Sequence, residues 1–206
     1  MTTPGYWKQA TRELSQRDAV IKKLITTTRG LTLHSRGDAF NTLARSIIGQ
    51  QISVKAAENI WQRLSAAVPA IRPDVIHAHD SEALRACGLS RGKVVYLQDL
   101  ARYFVENRLN VRRWKKMSDD ELIVELTQVR GIGRWTAEMF LIFHMTRPNV
   151  LPVDDIGLQR AMSLHYNHGR PLSKLKMNSI ATRWLPWRSV ATWYLWRSLD
   201  PIPVEY

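Results

Sequence analysis

A chain of 206 residues holds enough apolar material for one or two compact domains without disulfide or metal staples. Hydrophobic residues make up 45% and charged residues 23%, a balance that excludes wholesale disorder. Thirty Lys and Arg against eighteen Asp and Glu leave a net charge of +12, which suits either a polyanionic partner or a merely basic surface.

A single cysteine, Cys87, excludes an internal disulfide framework and an all-cysteine zinc or iron–sulfur site within one chain. Beside Gly88 it reads as a buried thiol. The first residues lack the basic-then-apolar order of a signal peptide, and no apolar run approaches the roughly 20 residues of a membrane span. The expectation is a soluble intracellular protein with no membrane partner.

The chain then reads helix after helix. Ala57, Ile60, Trp61, Leu64 and Val68 recur at steps of three and four, so they line one helical face, and Ser53 is placed to cap its start. His77, His79 and Asp80 lack the further partners of a metal site and read as a solvated loop. Val94, Leu97, Ala101, Phe104 and Val105 repeat the helical spacing. The basic run Arg112, Arg113, Lys115 and Lys116 around Trp114 reads as a solvated helix end. Ser118 with Glu121 forms a capping box ahead of Leu122, Ile123, Leu126 and Val129. Met139 to Phe143 are apolar all round, as in a buried central helix. No stretch alternates with a period of two. The fold expected is all-α, with two helical lobes, a cleft between them and a chain that crosses more than once.

Two constellations carry chemistry. In Leu126-Thr127-Gln128-Val129-Arg130-Gly131-Ile132-Gly133-Arg134-Trp135-Thr136-Ala137, an amphipathic helix meets a Gly-x-Gly turn and a second helix begins near Arg134. The glycines permit positive φ and a close approach of another chain, and the helix start favours a phosphate. A tight αα-hairpin without a ligand is the plainer reading. Downstream, Leu151-Pro152-Val153-Asp154-Asp155-Ile156 sets two carboxylates before a new helix, where Asp154 is expected to be the N-cap.

These segments resemble the helix-hairpin-helix DNA glycosylase superfamily, in particular its 3-methyladenine (alkylbase) DNA glycosylase II branch. Ile47-Ile48-Gly49-Gln50-Gln51-Ile52-Ser53, Cys87-Gly88-Leu89-Ser90 leading to Lys93, and Leu185-Pro186-Trp187-Arg188-Ser189 agree with it, so the resemblance runs from about residue 6 to residue 200. It implies one bilobal helical glycosylase unit over 1–206, with the hairpin element at about 119–146 and no N-terminal β domain. It implies a monomer acting in the cell on double-stranded DNA that contains alkylated bases, with no cofactor.

Carried over residue by residue, the resemblance places the essential carboxylate on Asp155. The DNA-anchoring hairpin falls on Gly131, Ile132, Gly133 and Arg134, with Thr136, Gln50, Gln51 and Ser53 as further DNA-facing positions. Trp135, Trp196 and Met139 fall on the base pocket, Met139 replacing an aromatic. Backbone carbonyls of Thr127, Val129 and Ile132 correspond to those that hold a monovalent cation in relatives. Trp7, Trp61 and Trp114 are expected to be core or surface packing, and Trp187 a brace for the last helix.

Two departures refine the implied function. Relatives that also cut the strand have a lysine directly after the hairpin arginine, where this chain has Trp135; without that amine no Schiff base is expected. The larger bacterial relative has an apolar wedge where this chain has Gln51, so a polar side chain is expected to fill the gap left by an extruded base. The implied activity is monofunctional excision of alkylated purines such as 3-methyladenine and 7-methylguanine. The alternatives are a non-catalytic damage sensor and a glycosylase/lyase for other damaged bases.

Overall fold

The structure, a computed structural model, describes residues 3–28, 30–35 and 37–199, apart from the side chain of Val54. Among them lie thirteen α-helices and no strand. In chain order these are α1 (Trp7–Arg17), α2 (Ala19–Thr27), α3 (Ala39–Gly49), α4 (Val54–Ala67), α5 (Pro73–Ala78), α6 (Ser81–Ala86) and α7 (Arg91–Val105). They continue with α8 (Val111–Trp114), α9 (Asp119–Leu126), α10 (Arg134–Phe143), α11 (Ile156–Tyr166), α12 (Lys174–Ala181) and α13 (Arg188–Leu199). The all-α expectation holds. No helix is long and apolar enough to cross a membrane among the described residues.

The chain divides into two compact units: one comprises Gly37–Phe140, and the other draws on both ends of the chain, rejoining at Leu141. In the first unit, α7 packs on α3 and α5. Its core is threaded by edge-to-face rings, Phe40 to Phe104 to Trp114 to Phe140, with centroids 5.5, 6.1 and 5.4 Å apart. The Trp114 indole N–H also donates to Glu125 at 2.7 Å, which fixes α8 against α9. Short polar side chains start most helices. Ser53, Asp80, Ser90 and Ser118 each accept from an amide three residues on, and Ser118 with Glu121 completes the expected capping box. Val105 departs from expectation and is exposed at the end of α7; the buried face runs instead through Leu97, Leu100, Ala101 and Tyr103.

The second unit is organised around a buried carboxylate. Asp18 caps α2 by accepting from Val20 and Ile21, and its other oxygen accepts from Trp184 Nε1 and the Tyr166 hydroxyl, each at 3.0 Å. Four donors satisfy an acid that would otherwise be costly to bury. Tyr166 is the last residue of α11, so this network anchors one end of the helix whose other end begins at Asp155. The loop before α11 is tied to α13: Ser189 Oγ donates to the Arg147 carbonyl at 2.6 Å and accepts from Val150 N at 2.9 Å.

Candidate active site and nucleic-acid interface

Asp155, not Asp154, caps α11. Its Oδ1 accepts from Leu158 N at 2.6 Å and from Trp196 Nε1 at 2.7 Å. The expectation that Asp154 caps this helix is therefore corrected. Local rules allow either aspartate, and the choice is tertiary: the Trp196 indole reaches Asp155, whereas Asp154 is half-exposed and ion-paired to Lys174. Two donors on one oxygen set the carboxylate's rotamer. Gly157 leaves room for them, since a Cβ there would lie 3.1 Å from Asp155 Oδ1 and 3.2 Å from Trp196 Cδ1. One face of Trp196 is stacked on Phe143 at 5.7 Å. The structure thus gives Trp196, expected in a base pocket, a contact with the carboxylate itself.

The hairpin lies in the other unit. After α9, Val129 N bonds to Leu126 O and Ile132 N to Val129 O, and the first bond of α10 runs from Ala137 N to Gly133 O at 3.0 Å. The amides of Gly133 and Arg134 precede that bond and so have no intrahelical acceptor. The two glycines do different work. Gly131 has φ +83°, and a Cβ there would fall 2.3 Å from the Tyr96 ring; at Gly133 a Cβ would meet nothing within 4 Å. The first glycine packs inward, and the second leaves open surface. Ile132 is buried, so only its backbone belongs to that surface. Arg134 is largely exposed, with its Nε 3.0 Å from the buried Glu138.

Helix α7 braces this turn. Asp99 Oδ2 accepts from Arg130 N at 3.0 Å, the Tyr103 hydroxyl donates to Gln128 O at 3.0 Å, and Tyr96 backs Gly131. Burial pushes the Asp99 carboxyl up, but the bonds from Arg102 and the Arg130 amide outweigh it and hold the group below its usual range. Sequence reasoning did not find these residues. Their spacing at 96, 99 and 103 on one helical face was the available signal.

A cavity of about 470 Å³ opens in the same unit, walled by Trp135 and Met139 of α10, Trp61 of α4 and the Gln50–Gln51 turn. Trp135 and Met139 line it together. Thr136 is 3% exposed and lines this cavity, which corrects its expected place on a DNA-facing surface: two positions past Arg134, it lies on another side of the helix. Trp61, expected as core or surface packing, forms part of the wall, with the Arg45 guanidinium 4.1 Å over its ring. Arg45 in turn pairs with Glu58 at 2.8 Å, and that bond holds the Glu58 carboxyl below its usual range. Ser53, expected to face DNA, is exposed and caps α4.

Comparison with known proteins shows what the chain is similar to. The family described as "HhH-GPD superfamily base excision DNA repair protein" matches residues 44–186. DNA-3-methyladenine glycosylase 1 of Schizosaccharomyces pombe is 33% identical over 182 residues, covering 85% of this chain and 79% of that protein. A putative DNA-3-methyladenine glycosylase of Bacillus subtilis is 31% identical, and there the alignment spans 78% of this chain and 59% of the relative. Among solved structures, the S. pombe 3-methyladenine DNA glycosylase Mag1 in complex with abasic DNA superposes with a TM-score of 0.80 at 29% identity, covering 96% of this chain and 98% of that one.

Proposed function

This chain belongs to the HhH-GPD superfamily of base excision DNA repair proteins, and we propose that it is a monofunctional DNA glycosylase that hydrolyses the N-glycosidic bond of alkylated purines. The observation that carries the proposal is the fixed carboxylate of Asp155, held by Leu158 N and Trp196 Nε1 within a chain matched to that family. A purine alkylated at N3 or N7 is cationic and leaves deoxyribose readily. Charge then develops on the sugar as an oxocarbenium. A preorganised carboxylate stabilises that charge and orients a water to add at C1′, accepting the proton the water sheds.

The base must first leave the stack, at a cost of a few kcal/mol that is smaller for damaged pairs. The cavity walled by Trp135 and Met139 supports a base-receiving role, since an indole face attracts a cationic ring. The open side of Gly133 and the amides at the head of α10 suit a DNA phosphate. A monovalent cation belongs to the same reading. Among the described residues, the carbonyls of Thr127 and Ile132 take no part in the turn's hydrogen bonds, so with Val129 they would hold it and extend the positive charge toward the phosphate. The site is proposed to act as a monomer.

Two results are expected. Trp135 supplies no amine, so reacted DNA should carry intact abasic sites that break only after alkali or heat, and borohydride should trap no enzyme–DNA adduct. Prompt strand cleavage by the pure protein would overturn the monofunctional reading. Gly133→Leu should leave the melting temperature unchanged and weaken binding to damaged and undamaged duplex alike by about tenfold, the scale of one lost charge-assisted hydrogen bond. Binding should also fall steeply with salt, because phosphate contacts release counterions. A Gly133→Leu protein that bound DNA normally but excised slowly would contradict this assignment.

A further inference from the structure

A half-buried ammonium holds the turn that follows α3. Lys93 lies in the first turn of α7, where a cation opposes its own helix dipole. Its Nζ is directed elsewhere, donating to the carbonyls of Ile48 and Gln50 at 2.7 Å each. Ile48 is in the last turn of α3 and Gln50 is its C-cap, so the charge faces the negative end of that helix. Burial pushes the Lys93 ammonium below its usual range, the cost of placing it there.

The same turn is held from its other side. The Gln50 side-chain amide donates to the Gly131 carbonyl at 2.8 Å, which joins it to the hairpin. Gln51 follows with φ +59°, a left-handed conformation that a residue with a Cβ keeps only when its surroundings impose it. Its side chain is exposed. Within the turn the backbone supplies little: Gln50 N to Ile47 O is 3.3 Å and Ile52 N to Gly49 O is 3.4 Å. The strong bond on the Gln50 carbonyl therefore comes from Lys93.

We propose that Lys93 is a positioning residue for base extrusion: it pins the Gly49–Ile52 turn so that Gln51 is presented, already left-handed, to fill the space an extruded base leaves in the duplex. The inference rests on the proposed function. Without the clamp, the turn must be ordered during extrusion, and that ordering raises the barrier of the flipping step. It leaves bond hydrolysis at an already unpaired nucleotide untouched.

The test compares wild type with Lys93→Met, which keeps the aliphatic stem, and Lys93→Arg, which keeps the charge. Single-turnover release of 7-methylguanine is followed from a paired duplex and from the same lesion in a bulge. Lys93→Met should lose about tenfold or more on the paired duplex, the scale of a charged hydrogen bond, and change little on the bulge. Lys93→Arg should recover part of the loss. Amide exchange at Gln50 and Ile52 in the free protein should be about tenfold faster in Lys93→Met, with the core of α7 unchanged. Equal losses on both substrates, or no loss on either, would overturn the positioning role, and so would unchanged exchange in the turn. A wild type inactive on both substrates would instead overturn the proposed function, and exchange would then decide the role of Lys93 alone.

Discussion

Asp155→Asn should lower single-turnover excision of an alkylated purine by at least about a hundredfold, because a preorganised charge facing the transition state is worth about 3–4 kcal/mol and 1.4 kcal/mol is tenfold. Folding should hardly change. The amide oxygen of asparagine can accept from both Leu158 N and Trp196 Nε1, so the cap and the indole contact persist. DNA affinity should be retained or rise slightly, since one negative charge is removed. Asp154→Asn is the matched control. It breaks an ion pair with Lys174 whose side chains are 50% and 61% exposed, and such surface pairs contribute little. Its rate should stay close to wild type. Full activity in Asp155→Asn, with loss in Asp154→Asn, would assign the chemistry to the other carboxylate.

Gly131→Val is expected to give the largest loss of stability. Its Cβ would fall 2.3 Å from Tyr96 Cδ2 and 2.4 Å from Cγ, and φ +83° is unfavourable for any side chain and worse for a β-branched one. Left-handed strain of about 1–2 kcal/mol and overpacking of about 1–3 kcal/mol together give about 3 kcal/mol, or a drop in Tm of roughly 6–12 °C for a chain of this size. Thermal melting checks this directly. Pairing Gly131→Val with Tyr96→Ala should restore the packing share of the loss and leave the strain. Gly133, two residues on, should behave oppositely: its substitutions cost DNA affinity, not stability. If both glycines cost stability equally, the division between an inward and an outward glycine would be wrong.

How much of this was legible beforehand depends on how local the cause is. The capping box of Ser118 and Glu121, the cap at Ser53, and the Gly131–Gly133 turn follow from residues within one or two helical turns of each other, and they stand in the structure as local rules require. Asp154 and Asp155 show where that ends. Either can cap α11, and the choice between them is made by Trp196 and Lys174, which are distant in sequence. Trp61 satisfies the helical period of α4, yet periodicity cannot tell a core face from a cavity wall; the Arg45 guanidinium above it is a tertiary fact. Thr136 is buried although it belongs to the same motif as Gly133 and Arg134, because successive helical positions point in different directions. Lys93 lay within a stretch that supported the family resemblance, but its bonds to Ile48 and Gln50 span more than 40 residues.

The most direct measurement of the central claim is the release of free base. Purified protein is incubated with duplex DNA that carries 3-methyladenine or 7-methylguanine, and the free base and the strand are followed in the same reaction. Free alkylated purine is expected together with an equal amount of intact abasic strand, and Asp155→Asn is expected to release at least about a hundredfold less. DNA binding without any release of base would contradict the claim, and so would release that does not depend on Asp155.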